Sequence, residues 1–231
     1  LQSIRYESEK YGPSNYAIYM NKDYGNVKGY TFSFTKRYDP ISKTSAFVDY
    51  TYQVTEGNSV NSGSFYYNAL SGEQEEKRIV PLAWDQRHIL NTNVSVGDPR
   101  NWNVGVISKL SSGWPYTPNV PDANYVPQPN SGRKPWQWRV DMRVHKNFKI
   151  GNFNYLLFMK VYNLLDRRNE RYVFNDTGRA GYTYVYQSTQ ETQGFKNHYG
   201  EAGVHEWSEY QVRPQYYTSP RSINIGFSVD F

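Results

Sequence analysis

Strict alternation of apolar with polar residues constrains the fold of this chain more than any other feature of its sequence. The clearest example closes the chain, where the apolar set is Ile223, Ile225, Phe227, Val229 and Phe231. Successive side chains of a β-strand point to opposite faces of a sheet, so a period of two predicts a strand with one apolar and one polar face. Similar patterns occur at residues 30–34, 46–54, 90–96, 102–106, 138–144 and 153–165. With a weaker first segment, Leu1 to Lys10, the sequence predicts an all-β fold of about eight strands.

Composition excludes several other classes of protein. No apolar run approaches the ~20 residues that a membrane-spanning helix needs. The chain has no cysteine, which removes disulfide frameworks, thiolate nucleophiles and cysteine-ligated metals. The net charge is +5, but the basic residues are scattered, and the densest cluster, residues 166–171, also contains acids. We therefore expect no nucleic-acid partner.

Connection lengths distinguish a soluble sandwich from a membrane barrel, because both would show the same alternation. Short links at residues 38–42, 97–100 and 150–152 alternate with long ones at about 56–86, 113–136 and 165–219. One end of the sheet therefore carries turns and the other carries long loops. This layout is typical of an outer-membrane barrel with periplasmic turns and extracellular loops, whereas such long connections are uncommon in compact soluble domains.

The first predicted strand is a poor candidate for closing a barrel. Charged side chains such as Arg5 and Glu7 interrupt the surface that it would present to lipid. Open sheet edges are not tolerated in a bilayer, because each unpaired backbone group costs several kcal/mol there. We therefore expect further strands to complete the wall, and we interpret residues 1–231 as the C-terminal portion of a larger transmembrane antiparallel β-barrel.

The sequence contains no recognisable catalytic or metal-binding motif. Serine, histidine and aspartate are plentiful, but no nucleophile elbow or comparable local signature accompanies them. His198 and His205 lie near acidic residues in one long connection, yet their spacing matches no rigid metal motif. We predict no catalytic residue, no metal and no cofactor, and we do not expect an enzyme.

Aromatic residues are concentrated in the long connections. Aromatic side chains with polar tips offer a large contact area, as binding sites for sugars, chelates or peptides require. The candidate ligand-binding residues are Trp114, Tyr116, Tyr184, Phe195, Tyr199 and Trp207. An equally weighted interpretation is that such aromatics pack the loops against one another and against the barrel rim.

Six segments, spread over nearly the whole chain, carry a resemblance to a known family. They are residues 24–30 (YGNVKGY), 48–52 (VDYTY), 81–88 (PLAWDQRH), 139–143 (RVDMR), 161–168 (VYNLLDRR) and 175–180 (NDTGRA). In order and spacing they resemble the C-terminal barrel region of TonB-dependent outer-membrane receptors. The terminal Phe231, after its alternating apolar residues, is similar to the signal that the outer-membrane assembly machinery reads.

The resemblance implies a 22-stranded barrel with a plugged lumen in the bacterial outer membrane. This chain would supply about eight C-terminal strands, and the plug domain and N-terminal strands would lie outside it. The implied function is TonB-dependent uptake of a scarce nutrient that the aromatic extracellular loops bind. The alternatives are an interaction or structural barrel that holds partner proteins without transport, and a small stand-alone barrel.

The resemblance also implies a set of partners. Outer-membrane lipid would surround the wall, and the plug domain and remaining strands would complete the barrel. TonB would act indirectly, through the plug. The assembly machinery would bind the C-terminal Phe231, and a surface lipoprotein or another protein would bind at the loops.

Overall fold

The described residues form one large antiparallel β-sheet and two separate two-stranded sheets. The computed structural model describes residues 24–58, 78–119, 127–184 and 213–230, together with the backbone of residues 2–8 and 12–18. Its strands, in chain order, are β1 (Gln2–Ser8), β2 (Gly12–Ile18), β3 (Gly25–Asp39), β4 (Thr44–Gly57), β5 (Val80–Pro81), β6 (His88–Asp98), β7 (Trp102–Ser111), β8 (Pro115–Tyr116), β9 (Gly132–Arg133), β10 (Gln137–Ile150), β11 (Phe153–Tyr162) and β12 (Ser222–Asp230). A short 3₁₀ helix, Pro214–Tyr216, precedes β12.

The strand order of the large sheet is β12-β11-β10-β7-β6-β4-β3, and β5 pairs with the end of β4. Every pairing is antiparallel, which confirms the all-β, antiparallel prediction. Within the described residues, the edge strands β3 and β12 do not pair with each other, so the sheet is open. The predicted first strand is observed as β1, but its partner β2 carries little alternation and was not expected.

Register sorts the side chains into one apolar and one polar face. Because paired residues of antiparallel strands lie on the same face, successive pairings define rows that cross the sheet. One row is Ala46, Val94, Val106, Met142, Val161 and Ile223, and the adjacent row on the opposite face is Ser95, Gly105, Arg143, Lys160 and Asn224. The sheet is therefore two-sided, as the alternation predicts, although the polar face also carries Phe47 and Ile107.

The apolar face is largely uncovered by the described residues. Phe32 is 68% exposed, Ile225 72% and Phe227 77%. Buried apolar residues are few among those described, and two of them, Val140 and Val161, lie within the apolar face itself. The hydrophobic side chains of the sheet thus form a broad surface instead of a core, and a surface of this kind marks an interaction with a partner or a membrane.

Aromatic rings are in contact near both ends of the sheet. In the row nearer the long connections, adjacent ring centroids lie 5.1–5.6 Å apart, and its members are Tyr30, Tyr52, His88 and Trp136. Near the opposite end, Phe148 and Tyr155 stack at 5.3 Å. Aromatic contacts therefore occur near both ends of the apolar face, which also carries phenylalanines such as Phe32 and Phe227 between them.

The three short turns lie together at one end of the sheet. They follow β3, β6 and β10. In the first turn Asp39 accepts the backbone N–H groups of Ile41 and Ser42 at 3.1 Å each, and Gly97 donates to the Lys43 carbonyl at 2.8 Å. This arrangement confirms the alternation of short and long links. None of the described residues belongs to a helix long and apolar enough to cross a bilayer.

Candidate functional site

The long connections fold into a layer at the end of the sheet opposite the short turns. The term loop layer denotes the described parts of these connections, residues 78–87, 112–119, 127–136, 163–184 and 213–221. Short pairings brace it: β8 pairs with β9, and Glu170 forms a single bridge with Tyr217. Binding residues concentrate in loops that a rigid scaffold holds in place, so this layer is the candidate functional site.

A buried carboxylate, Asp85, joins three segments of the molecule. Asp85 is fully buried, and its Oδ1 accepts the Thr55 backbone N–H at 2.8 Å. Its Oδ2 accepts Arg87 Nε at 2.8 Å and also pairs with the Arg133 guanidinium. Arg133 donates a further hydrogen bond to the Asp85 carbonyl at 2.5 Å. One side chain therefore connects β4, the approach to β6, and β9.

The groups around Asp85 determine its ionisation state. Burial by itself raises the pKa of the carboxyl group, but hydrogen bonds from Arg133, Arg87 and the Thr55 N–H outweigh it, and the pKa lies below its ordinary value. Asp85 is therefore an anion at neutral pH. A permanently charged group between two arginines is suited to holding segments together and not to transferring protons.

Two buried asparagines fasten the 163–184 segment to the sheet. The Asn163 amide donates to the carbonyls of Arg167 and Ser219 at 3.1 and 3.0 Å. Asn163 has φ 53°, a left-handed backbone conformation that asparagine tolerates. This conformation ends β11 at Tyr162, whereas the sequence predicted a strand that continues to residue 165. Asn169 continues the hydrogen bonding to β10 beyond the end of β11, because its side chain both donates to and accepts from the Trp138 backbone at 2.9 Å.

Two carboxylates shape the next turn of the same segment. Glu170 accepts Arg179 Nη2 at 2.8 Å and the Ala180 backbone N–H at 2.6 Å. Asp176 Oδ2 accepts the Tyr184 backbone N–H at 2.5 Å. The turn is thus held by interactions of its own side chains, and the direction of the chain into Tyr184 is fixed.

Tyr116, a predicted ligand-binding residue, packs inside the loop layer. A Cβ at Gly132 would lie 2.5 Å from its Cε1 and a Cβ at Gly178 would lie 2.3 Å from its hydroxyl oxygen, so only glycines fit against this ring. Burial raises the pKa of the Tyr116 phenol, and the charge of Asp176 adds to the effect. The ring therefore joins β9 to the 174–180 turn, as the packing interpretation requires.

Replacement of Gly178 by alanine is expected to destabilise the loop layer by about 1–3 kcal/mol. Gly178 has φ 68°, and the added methyl group would collide with Tyr116. Gly181→Ala is the matched control, since a Cβ there would meet nothing closer than 3.4 Å. Thermal unfolding of the purified protein compares the two variants. Equal transition temperatures would show that the Tyr116 packing does not contribute.

Trp114 and Tyr184, two further predicted residues, are exposed at the loop layer surface. Trp114 is 42% exposed and Tyr184 68%. Tyr184 forms an edge-to-face contact with Tyr182 at 5.7 Å, and Asp176 links it to the turn that covers Tyr116. The described residues show no ring contact of Trp114 with either Tyr116 or Tyr184. The remaining candidates, Phe195, Tyr199 and Trp207, lie outside the described residues, as do His198 and His205.

A cluster of aromatic rings and arginine in the loop layer was not singled out from the sequence. The Tyr216 ring centroid lies 5.9 Å from that of Tyr172 and 5.2 Å from that of Phe174. The Arg213 guanidinium stacks on Phe174 at 5.5 Å and on Tyr216 at 5.6 Å. The available signal was an arginine one to three residues before an aromatic residue in each segment, Arg171 before Tyr172 and Arg213 before Tyr216.

The described part of the chain contains no group of three or more histidine, aspartate or glutamate side chains that could hold a metal ion. Comparison with protein-family models, with curated proteins and with solved structures gives no significant match.

Proposed function

We propose that this chain forms part of the wall of a bacterial outer-membrane β-barrel, and that the barrel belongs to a TonB-dependent receptor for a scarce nutrient. The single observation that carries the proposal is the apolar face of the large sheet, whose side chains are most exposed on the edge strands β3 and β12. The sequence resemblance to TonB-dependent receptors supports the more specific assignment.

Lipid is the partner that best suits the apolar face. Burial of a phenylalanine or isoleucine side chain is favourable by about 1.5–3 kcal/mol relative to leaving it in water. Four such side chains of this face are more than 60% exposed: Phe32, Phe34, Ile225 and Phe227. A bilayer removes this cost along the whole face at once. The aromatic rings near both ends correspond to the interfacial bands of such barrels.

The loop layer is proposed to lie on the outer side of the membrane and to bind the nutrient. Trp114 and Tyr184 present large rings to solvent, while the Asp85, Asn163 and Asn169 contacts hold the segments that carry and surround them. Rigid exposed aromatics bind ligands at a low entropic cost. The polar face of the sheet would then line the lumen through which the nutrient passes.

Native mass spectrometry of the full protein released from its own membrane tests the proposal. We expect a reproducible small-molecule adduct that the Trp114→Ala/Tyr184→Ala double variant loses. Tyr38→Ala is the matched control, because Tyr38 is an exposed aromatic residue, 40% exposed, near the short turns. The control should retain the adduct at the wild-type level.

Two results would count against the proposal. Absence of any adduct from the wild-type protein would argue against a nutrient receptor. A co-purifying protein in place of a small molecule, lost in the same double variant, would favour the interaction barrel instead.

A further inference from the structure

Two cations face each other across neighbouring strands on the polar face of the sheet. Arg143 of β10 and Lys160 of β11 are direct cross-strand partners. Arg143 lies near the middle of β10, and Lys160 lies near the end of β11 that leads into the loop layer. Like charges placed directly opposite each other are destabilising in an antiparallel pair, so a compensating anion would be expected beside them.

The described residues place one carboxylate, Asp141, in the same cavity as the two cations, and its ion pair is with Arg139. Neither Arg143 nor Lys160 forms an ion pair with a described carboxylate. Oδ1 of Asp141 accepts Arg139 Nε at 2.9 Å and the Asn163 backbone N–H at 2.8 Å, so Arg139 already balances the single negative charge of this carboxylate. Lys160 stacks on the Phe158 ring at 5.6 Å, a contact that leaves its charge in place.

A cavity of about 460 Å³ lies over the two cations. Its lining includes Arg143, Lys160, Asn93, Asn103 and Gly105. Asn103 accepts the Ser95 hydroxyl through Oδ1 at 2.9 Å, which leaves its amide NH₂ as a donor for a ligand. The volume is within the range of small-molecule sites.

Gly105 keeps the floor of this cavity open. It lies directly across from Arg143 in the neighbouring strand β7. A Cβ at Gly105 would meet no atom closer than 4.0 Å, so close packing does not account for the glycine. Any larger residue there would instead project from the polar face toward the space beside Arg143.

We propose that the Arg143–Lys160 pair, with Asn103 and the space above Gly105, binds a small ligand that carries carboxylate groups. The planar guanidinium of arginine matches a carboxylate with two parallel hydrogen bonds. The lysine ammonium adds a second charge, and the Asn103 amide adds a neutral donor. Binding at this site does not require the proposed uptake function, and it can be measured on the isolated protein.

Calorimetric titration of citrate into the purified full-length protein tests the site. The wild-type protein should bind citrate, and the Arg143→Gln/Lys160→Gln variant should bind at least about tenfold more weakly. Gly105→Leu, which keeps both charges and fills the space, should weaken binding to a similar extent. Lys109→Gln is the matched control, since Lys109 projects from the same polar face of β7 but does not line the cavity.

Each outcome of this titration decides the proposal. Binding that both site variants weaken and the Lys109→Gln control retains would support it. Absence of citrate binding by the wild-type protein would overturn it. Equal weakening by all three variants would also overturn it, because a diffuse positive field would then explain the result. Removal of facing like charges should not unfold the sheet, and circular dichroism of each variant verifies this.

Discussion

An arginine at Phe227 is expected to cost about 2–4 kcal/mol of folding free energy in a bilayer, whereas an arginine at Ser228 should cost little. Phe227 lies near the middle of β12 on the apolar face and is 77% exposed. Ser228 is its neighbour in sequence but pairs with Leu156 on the opposite face. The difference arises because only the first substitution places a charge in hydrocarbon.

Folding of the full-length protein into lipid vesicles, followed by urea titration, measures both variants. The Ser228→Arg variant is the control for the general effect of adding a charge to β12. If Phe227→Arg and Ser228→Arg lowered the folding free energy equally, the apolar face would not contact lipid.

Replacement of Asp85 by alanine is expected to lower the free energy of unfolding by about 2–4 kcal/mol. The change leaves Arg87 and Arg133 without their shared carboxylate and the Thr55 N–H without its acceptor. This loss of unfolding free energy is smaller than that for a fully buried ion pair, because the side chains of Arg87 and Arg133 are 30% and 32% exposed.

Glu56→Gln is the matched control for this substitution. Glu56 pairs with the same Arg87, but at 3.8 Å and with a side chain that is 41% exposed. Exposed pairs of this kind contribute less than about 1 kcal/mol. Chemical unfolding of both variants at neutral pH gives the comparison. An effect of Glu56→Gln equal to that of Asp85→Ala would contradict the role assigned to Asp85.

The stabilisation from Asp85 also depends on pH in a defined direction. Its pKa is lower in the folded protein than the ordinary value of 3.8. The contribution should therefore be complete above a pH of about 5 and should disappear as the pH falls through the lower, folded value. The difference in stability between wild-type protein and Asp85→Ala should narrow over that acidic range.

The strands were predictable because their signal is local. Alternation such as that of residues 222–230 needs no knowledge of the partner strand, and the short links identify the turn end directly. The hairpin partner β2 was missed because its sequence, Gly12–Ile18, carries little alternation. The early end of β11 depends on the backbone conformation of Asn163, which a residue-by-residue pattern does not reveal.

The loop layer was less predictable because its contacts join distant parts of the chain. Tyr116 and Trp114 are two residues apart and were equivalent as aromatic loop residues, yet one is packed between Gly132 and Gly178 and the other is exposed. The local sequence does not distinguish Asp85 from other loop aspartates, because its partners Thr55 and Arg133 lie far from it along the chain. Neither outcome could be read from the local sequence.

Contact of the apolar face with lipid is the central claim, and spin-label accessibility along β12 tests it most directly. Residues 1–231 contain no cysteine, so single cysteines can be labelled along the strand in the full-length protein in vesicles, with any cysteine outside these residues first replaced by serine. Oxygen accessibility should be high at Ile223, Ile225, Phe227 and Val229 and low at the positions between them. Uniform accessibility along β12, or preferential access of a water-soluble relaxation agent to the apolar positions, would contradict the claim.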